Sequence, residues 1–114
     1  MIIFSHVRFI NKELRFLLMT ECKEIEFSRH AITRMFARQI QRENVIEIIK
    51  SGEEIENYHE DIPYPSKLLL GYAQDKPLHV VVAINSQEGI CIIITTYIPD
   101  LDIWEKDFKR RKSK

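Results

Sequence analysis

The sequence predicts an α+β domain, with helices first and an antiparallel sheet of three to four strands after them. Two observations carry this. Apolar residues recur at helical spacing between Arg29 and Lys50. After Gly52 the pattern changes to short β-branched runs separated by turn residues. Helices lying on one face of a hairpin-built sheet satisfy both, and because the strand runs are apolar on both faces, the second face is expected to be partly covered too.

The first helix is expected from Arg29 to about Gln39. Ser28 is its N-cap, since a hydroxyl there can accept a bond from an orphan amide of the first turn. Ala31, Ile32, Met35 and Phe36 form its apolar stripe. A second helix covers Arg42 to Lys50, with Val45, Ile46, Ile48 and Ile49 inward and Ser51-Gly52 as its stop. Glu54 to Tyr58 alternates like an edge strand, and His59 to Pro65, with two prolines, reads as a loop. Lys67–Tyr72, His79–Ile84 and Ile90–Tyr97 are the main strands, joined by turns at Gln74–Pro77 and Asn85–Gly89. Asp100 to Phe108 either wraps the sheet or forms a short helix. The domain thus runs over residues 25–108. Residues 109–114 make a basic tail expected to fray, and residues 1–24 an N-terminal extension of open status. In that extension Phe9, Ile10, Leu14, Leu17 and Leu18 fit a loose helical period, and Met19 offers a second translation start.

Composition narrows the function. The chain has 114 residues and a formal net charge of +0, which excludes bulk polybasic attraction to nucleic acid but not a local basic patch. Three glycines and the absence of G-x-x-x-x-G-K exclude a glycine-rich phosphate loop. Four dispersed histidines and two dispersed cysteines have no metal-ligand spacing, so neither a metal nor another cofactor is expected. Cys22 and Cys91 form no disulfide framework; Cys91, inside an isoleucine run, reads as a small buried hydrophobe, a usage suited to a reducing cytosol. The apolar start is interrupted by His6, Arg8, Lys12, Glu13 and Arg15, so neither a membrane span nor a secretory signal is expected and the protein is placed in the cytoplasm.

Charge is unevenly spread. Residues 27–52 hold Arg29, Arg34, Arg38, Arg42 and Lys50 against Glu43 and Glu47, whereas residues 53–61 hold five acids and no base. The acidic stretch is either a solvated edge or a landing site for a basic partner. His30, Arg34 and Arg38 recur every four residues and make one ridge beside the apolar stripe. Two guanidiniums can grip phosphate bidentately and an imidazole can move a proton near neutral pH; the competing reading is a plain solvated face. In the sheet, Asp75–Lys76 as a two-residue turn would set Tyr72 opposite His79, and pairing Ile84 with Ile90 would set Thr95 there too. Tyr72, His79, Thr95 and Tyr97 would then share a face, as a catalytic cluster or as a hydrogen-bonded patch at the sheet end.

The run Phe27-Ser28-Arg29-His30-Ala31-Ile32-Thr33-Arg34-Met35-Phe36-Ala37-Arg38 resembles the S-x-H-A-x-x-R-M-x-x-R opening of bacterial domain-of-unknown-function family 4258. The resemblance continues through Val45, Ile48, Ile49 and Gly52, then Tyr64–Gly71, Pro77–Val82 and Ile94–Tyr97, spanning roughly residues 25–110. That family is similar to the RelE-like and MqsR-like toxin ribonucleases, with a RelE/barnase-like fold. The resemblance therefore implies a metal-independent ribonuclease toxin, with RNA (free or ribosome-bound) and an antitoxin protein as partners. In that chemistry the RNA 2′-hydroxyl attacks the neighbouring phosphate, which needs a proton acceptor, a proton donor and cations. His30 and His79 are the expected acid–base pair, with Tyr97 as a third catalytic candidate. Arg34, Arg38, Lys67 and Thr95 are the expected phosphate or RNA ligands, and Tyr72 or Tyr64 could stack a base. The alternative is a non-catalytic RNA- or protein-binding module.

Overall fold

The computed structural model describes the backbone of residues 4–10 and the whole of residues 22–113. The elements in order are β1 (Phe4–Ile10), β2 (Glu24–Ser28), α1 (Arg29–Arg38), α2 (Arg42–Ser51), β3 (Glu53–Tyr58), β4 (Ser66–Ala73), β5 (Lys76–Asn85) and β6 (Ile90–Tyr97). The α+β class holds, but the sheet is larger than expected and mixed. Five strands run in the order β2-β6-β5-β4-β3, with β1 added outside β2. The β2–β6 pair is parallel; the others are antiparallel. A parallel pair so distant in sequence leaves no turn signal, so the alternation Glu24-Ile25-Glu26-Phe27 passes unread. Phe9 and Ile10, expected in a helical period, lie in β1; Leu14, Leu17, Leu18 and Met19 lie outside the described residues.

Ser28 joins strand to helix. Its Oγ accepts from the Ala31 amide and donates to the Ile94 carbonyl, each at 3.0 Å. One hydroxyl thus caps α1 and pins its start to β6. Only Ala31 and Met35 of the expected stripe are buried; Ile32 and Phe36 are exposed, Phe36 at 88%. Neighbours on a helix point about 100° apart, and α1 rests on the sheet along a strip too narrow to take both pairs. α2 buries Val45, Ile48 and Ile49. It sits so close to β4 that a Cβ on Gly71 would lie 2.3 Å from Ile48 Cγ1, a contact only glycine permits. Both helices meet one sheet face, where Phe27, Leu69, Val80, Val82 and Ile93 complete the core.

Residues 98–113 wrap the opposite face. Trp104 is buried there and bridges to Arg111. The basic tail expected to fray is tied down instead: Lys109 pairs with Glu53 at 3.0 Å and Arg111 with Glu56 at 3.6 Å. Two acids of β3, read from sequence as a solvated edge or a partner's landing site, thus face the chain's own tail. Cys22 and Cys91 form a disulfide with Cα atoms 5.3 Å apart, correcting the reading of two independent thiols. The cause is topological: the parallel β2–β6 pairing brings the approach to β2 beside Cys91, and Lys23 and Glu24 both donate to the Gly89 carbonyl. Among the described residues, no helix is long and apolar enough to cross a membrane.

Candidate nucleic-acid interface

The α1 ridge is as the spacing implies. His30, Arg34 and Arg38 are exposed, with Arg29 exposed beside His30. Arg34 Nε donates to His30 Nε2 at 3.4 Å, so that ring nitrogen keeps its lone pair toward a guanidinium. No acid lies on α1, and Arg38 occupies its last turn, where a cation complements the helix dipole. Arg29, Arg34 and Arg38 make no ion pair with any described residue. At its far end the ridge opens into a cleft of ≈ 220 Å³, lined by Arg38 and, from the β4–β5 turn, Lys76.

His79 lies elsewhere. Val80 packs with the helices, so His79 points to the other side of the sheet. It is fully buried. Its Nε2–H donates to the Phe108 carbonyl at 2.8 Å, and Nδ1 lies 3.2 Å from the Tyr97 hydroxyl, which donates to it. Trp104 meets the imidazole edge-on at 4.6 Å. Burial chiefly holds the His79 pKa below its usual value, the Arg111 charge adds to the depression, and the Phe108 hydrogen bond and Glu56 oppose it. Burial likewise raises the Tyr97 phenol. Tyr58, half-buried and donating to Glu56 Oε1, is pushed up to about 12.

The structure therefore does not bring His30 and His79 together; the sheet stands between them. Tyr72, His79, Thr95 and Tyr97 do share a face, but the register differs from the expected one. The turn is Gln74–Asp75, one residue earlier, so Leu70 rather than Tyr72 lies opposite His79. Ile84 pairs with Cys91 rather than Ile90, and a bulge between Val81 and Val82 adds one more residue, so Tyr97, not Thr95, lies across from His79. Thr95 pairs with Val81. Lys67 is on the helix side, 3.4 Å from Glu54. Tyr72 is 57% exposed at the sheet end, and Tyr64 sits in the loop before β4. Sequence reasoning missed Lys76 and its neighbours in the cleft, because their meeting depends on where the end of α1 lies relative to the β4–β5 turn, which leaves no local signal.

Burying His79 neutral has a pH signature. Its folded pKa is lowered, so the unfolded chain binds the proton more readily. Stability is complete above the unfolded value and declines as pH falls from about 6.5 down through the folded value, by up to about 1.4 kcal/mol per pH unit. Urea midpoints at several pH values between 7.5 and 5.5 should show this decline in the wild type and a flatter profile in His79→Gln. Parallel profiles would contradict it.

The model of a family described as Domain of unknown function (DUF4258) covers residues 27–98. No curated protein and no solved structure matches the chain. The matched span runs from just before the α1 cap to the end of β6, so it includes the ridge and leaves the C-terminal wrap outside.

Proposed function

The chain belongs to the DUF4258 family, whose description assigns no activity, and from the geometry of α1 we propose that it binds single-stranded RNA along the His30–Arg34–Arg38 ridge. The observation that carries this is an exposed basic ridge with no acid on its helix and no ion pair to a described residue. Unpaired surface guanidiniums are available to a ligand, and successive ridge residues rise about 6 Å along the axis, so two can engage neighbouring phosphates. A compact basic ridge on a chain of zero net charge fits local backbone contact rather than bulk attraction.

One observation favours a second reading, cleavage of the bound RNA. His30 Nε2 faces the Arg34 guanidinium, placing a proton acceptor beside a phosphate ligand. In that reading the RNA 2′-hydroxyl attacks the neighbouring phosphorus as His30 takes its proton, the P–O5′ bond breaks to leave a 2′,3′-cyclic phosphate, the departing 5′-oxygen takes a proton from water, and Arg34 and Arg38 hold the charge that builds on the phosphate. His79 supplies no proton, since both its nitrogens are engaged within the fold. This is the form in which the toxin ribonuclease expectation, with an antitoxin as partner, carries forward.

Fluorescence anisotropy with a labelled single-stranded RNA tests the first reading. Arg34→Ala/Arg38→Ala should weaken binding at least about tenfold, two charge-assisted contacts being lost; unchanged affinity would sink it. End-labelled RNA incubated with EDTA separates the second. Cutting by the wild type that vanishes in His30→Ala supports cleavage, while binding without cutting leaves the binding reading alone.

A further inference from the structure

We propose that the cleft between the end of α1 and the β4–β5 turn holds one adenine nucleotide unit of the RNA. Arg38 and Lys76 bind its phosphate, and the amides of Gln39, Asn44 and Gln74 read its base edge. The inference rests on the RNA reading, with Arg38 shared between ridge and cleft. The cleft is ≈ 220 Å³, and no carboxylate lines it. Its three amides offer both donors and acceptors, the pattern that pairs with adenine N6 and N7. Half-exposed Ile98 gives the base an apolar wall. Single-stranded RNA is commonly read this way, with unstacked bases hydrogen-bonded on their edges.

A second observation points to the same place. Four described non-glycine residues have positive φ: Gln39 at 57°, Gln74 at 53°, Asp75 at 67° and Phe108 at 60°. Two of them, Gln39 and Gln74, line this cleft. Gln39 ends α1 in the left-handed region, where glycine is the usual residue. Gln74 and Asp75 form a two-residue hairpin turn with both central φ values positive, where Asn-Gly is preferred. Glutamine gains nothing from either conformation, and glycine would hold both at lower cost. Strain of this kind persists where the side chain is used, and it gathers at binding sites. Here the two strained glutamines both line the cleft.

The test is an NMR titration of the isotope-labelled full chain with adenosine 5′-monophosphate, with adenosine and inorganic phosphate as separate probes. Saturable shifts are expected at the side-chain amides of Gln39, Asn44 and Gln74, with either half-molecule at least about tenfold weaker. Lys76→Ala should weaken the nucleotide about fivefold, the loss of one exposed charge contact. Gln74→Gly decides between a used and a merely tolerated side chain. It relieves the positive φ, so the melting temperature should rise by about 4 °C, while nucleotide affinity falls severalfold. Equal affinity in Gln74→Gly, or no saturable shift at millimolar nucleotide, would overturn the site. RNA that binds through Arg34 while the nucleotide leaves the cleft untouched refutes the cleft and spares the ridge. Nucleotide binding at the cleft without any oligonucleotide affinity would overturn both the RNA reading and the assignment of that nucleotide to RNA.

Discussion

Replacing Trp104 by alanine should cost the fold about 3–5 kcal/mol, the range for truncating a buried tryptophan or phenylalanine. Trp104 is 2% exposed, although it lies in a segment without helix or long strand. It is the apolar centre of the wrap over residues 98–113. Its ring meets the His79 imidazole at 4.6 Å and carries the Arg111 guanidinium at 4.5 Å. Removing it opens a void above His79 and takes away the surface on which Arg111 is placed against Glu56. The exposed tail pairs contribute little alone, since ion pairs in water are worth about 0–1 kcal/mol; apolar burial holds the wrap. Urea denaturation reads the loss, and trypsin should then cut faster at the Lys109–Lys112 cluster. A loss below about 1 kcal/mol, the size of a surface substitution, would mean that the wrap is not part of the cooperative fold.

Breaking the Cys22–Cys91 bond should have a similar effect. The sequence separation is 69 residues. A cross-link closing a loop of that size removes unfolded-state entropy equivalent to about 4 kcal/mol at 25 °C. The loop spans β2, both helices and β3 to β5, so the bond closes the parallel β2–β6 pair, which no hairpin joins. Urea midpoints with and without reductant measure it, and Cys22→Ala/Cys91→Ala should match the reduced wild type. Coincident midpoints with and without reductant would show that the two sulfurs are not joined in the folded protein.

Local signals in the sequence were read well and long-range ones were not. Ser28, the two helices, the Ile90–Tyr97 strand and the basic ridge are all visible because capping, periodicity and i,i+4 spacing are properties of neighbours. The Gln74–Asp75 turn was placed one residue late because neither residue is a glycine or an asparagine, the usual markers of such a turn. The parallel β2–β6 pair, the disulfide and the cleft all join segments that only the tertiary fold brings together. Phe36 was expected in the core because its spacing fits; spacing identifies a face but not how wide a strip the partner offers. His79, expected as one of an acid–base pair, lies buried between β5 and the wrap, and one histidine in an apolar strand carries no mark of which face will be covered.

The salt dependence of binding tests most directly the proposal that Arg34 and Arg38 contact RNA phosphates. For single strands, each neutralised phosphate contributes about 0.7 to the slope of log affinity against log salt. The slope of Arg34→Ala/Arg38→Ala should be shallower than the wild-type slope by about 1.4. Equal slopes for the two proteins would show that the ridge does not touch the RNA backbone, and would contradict the account.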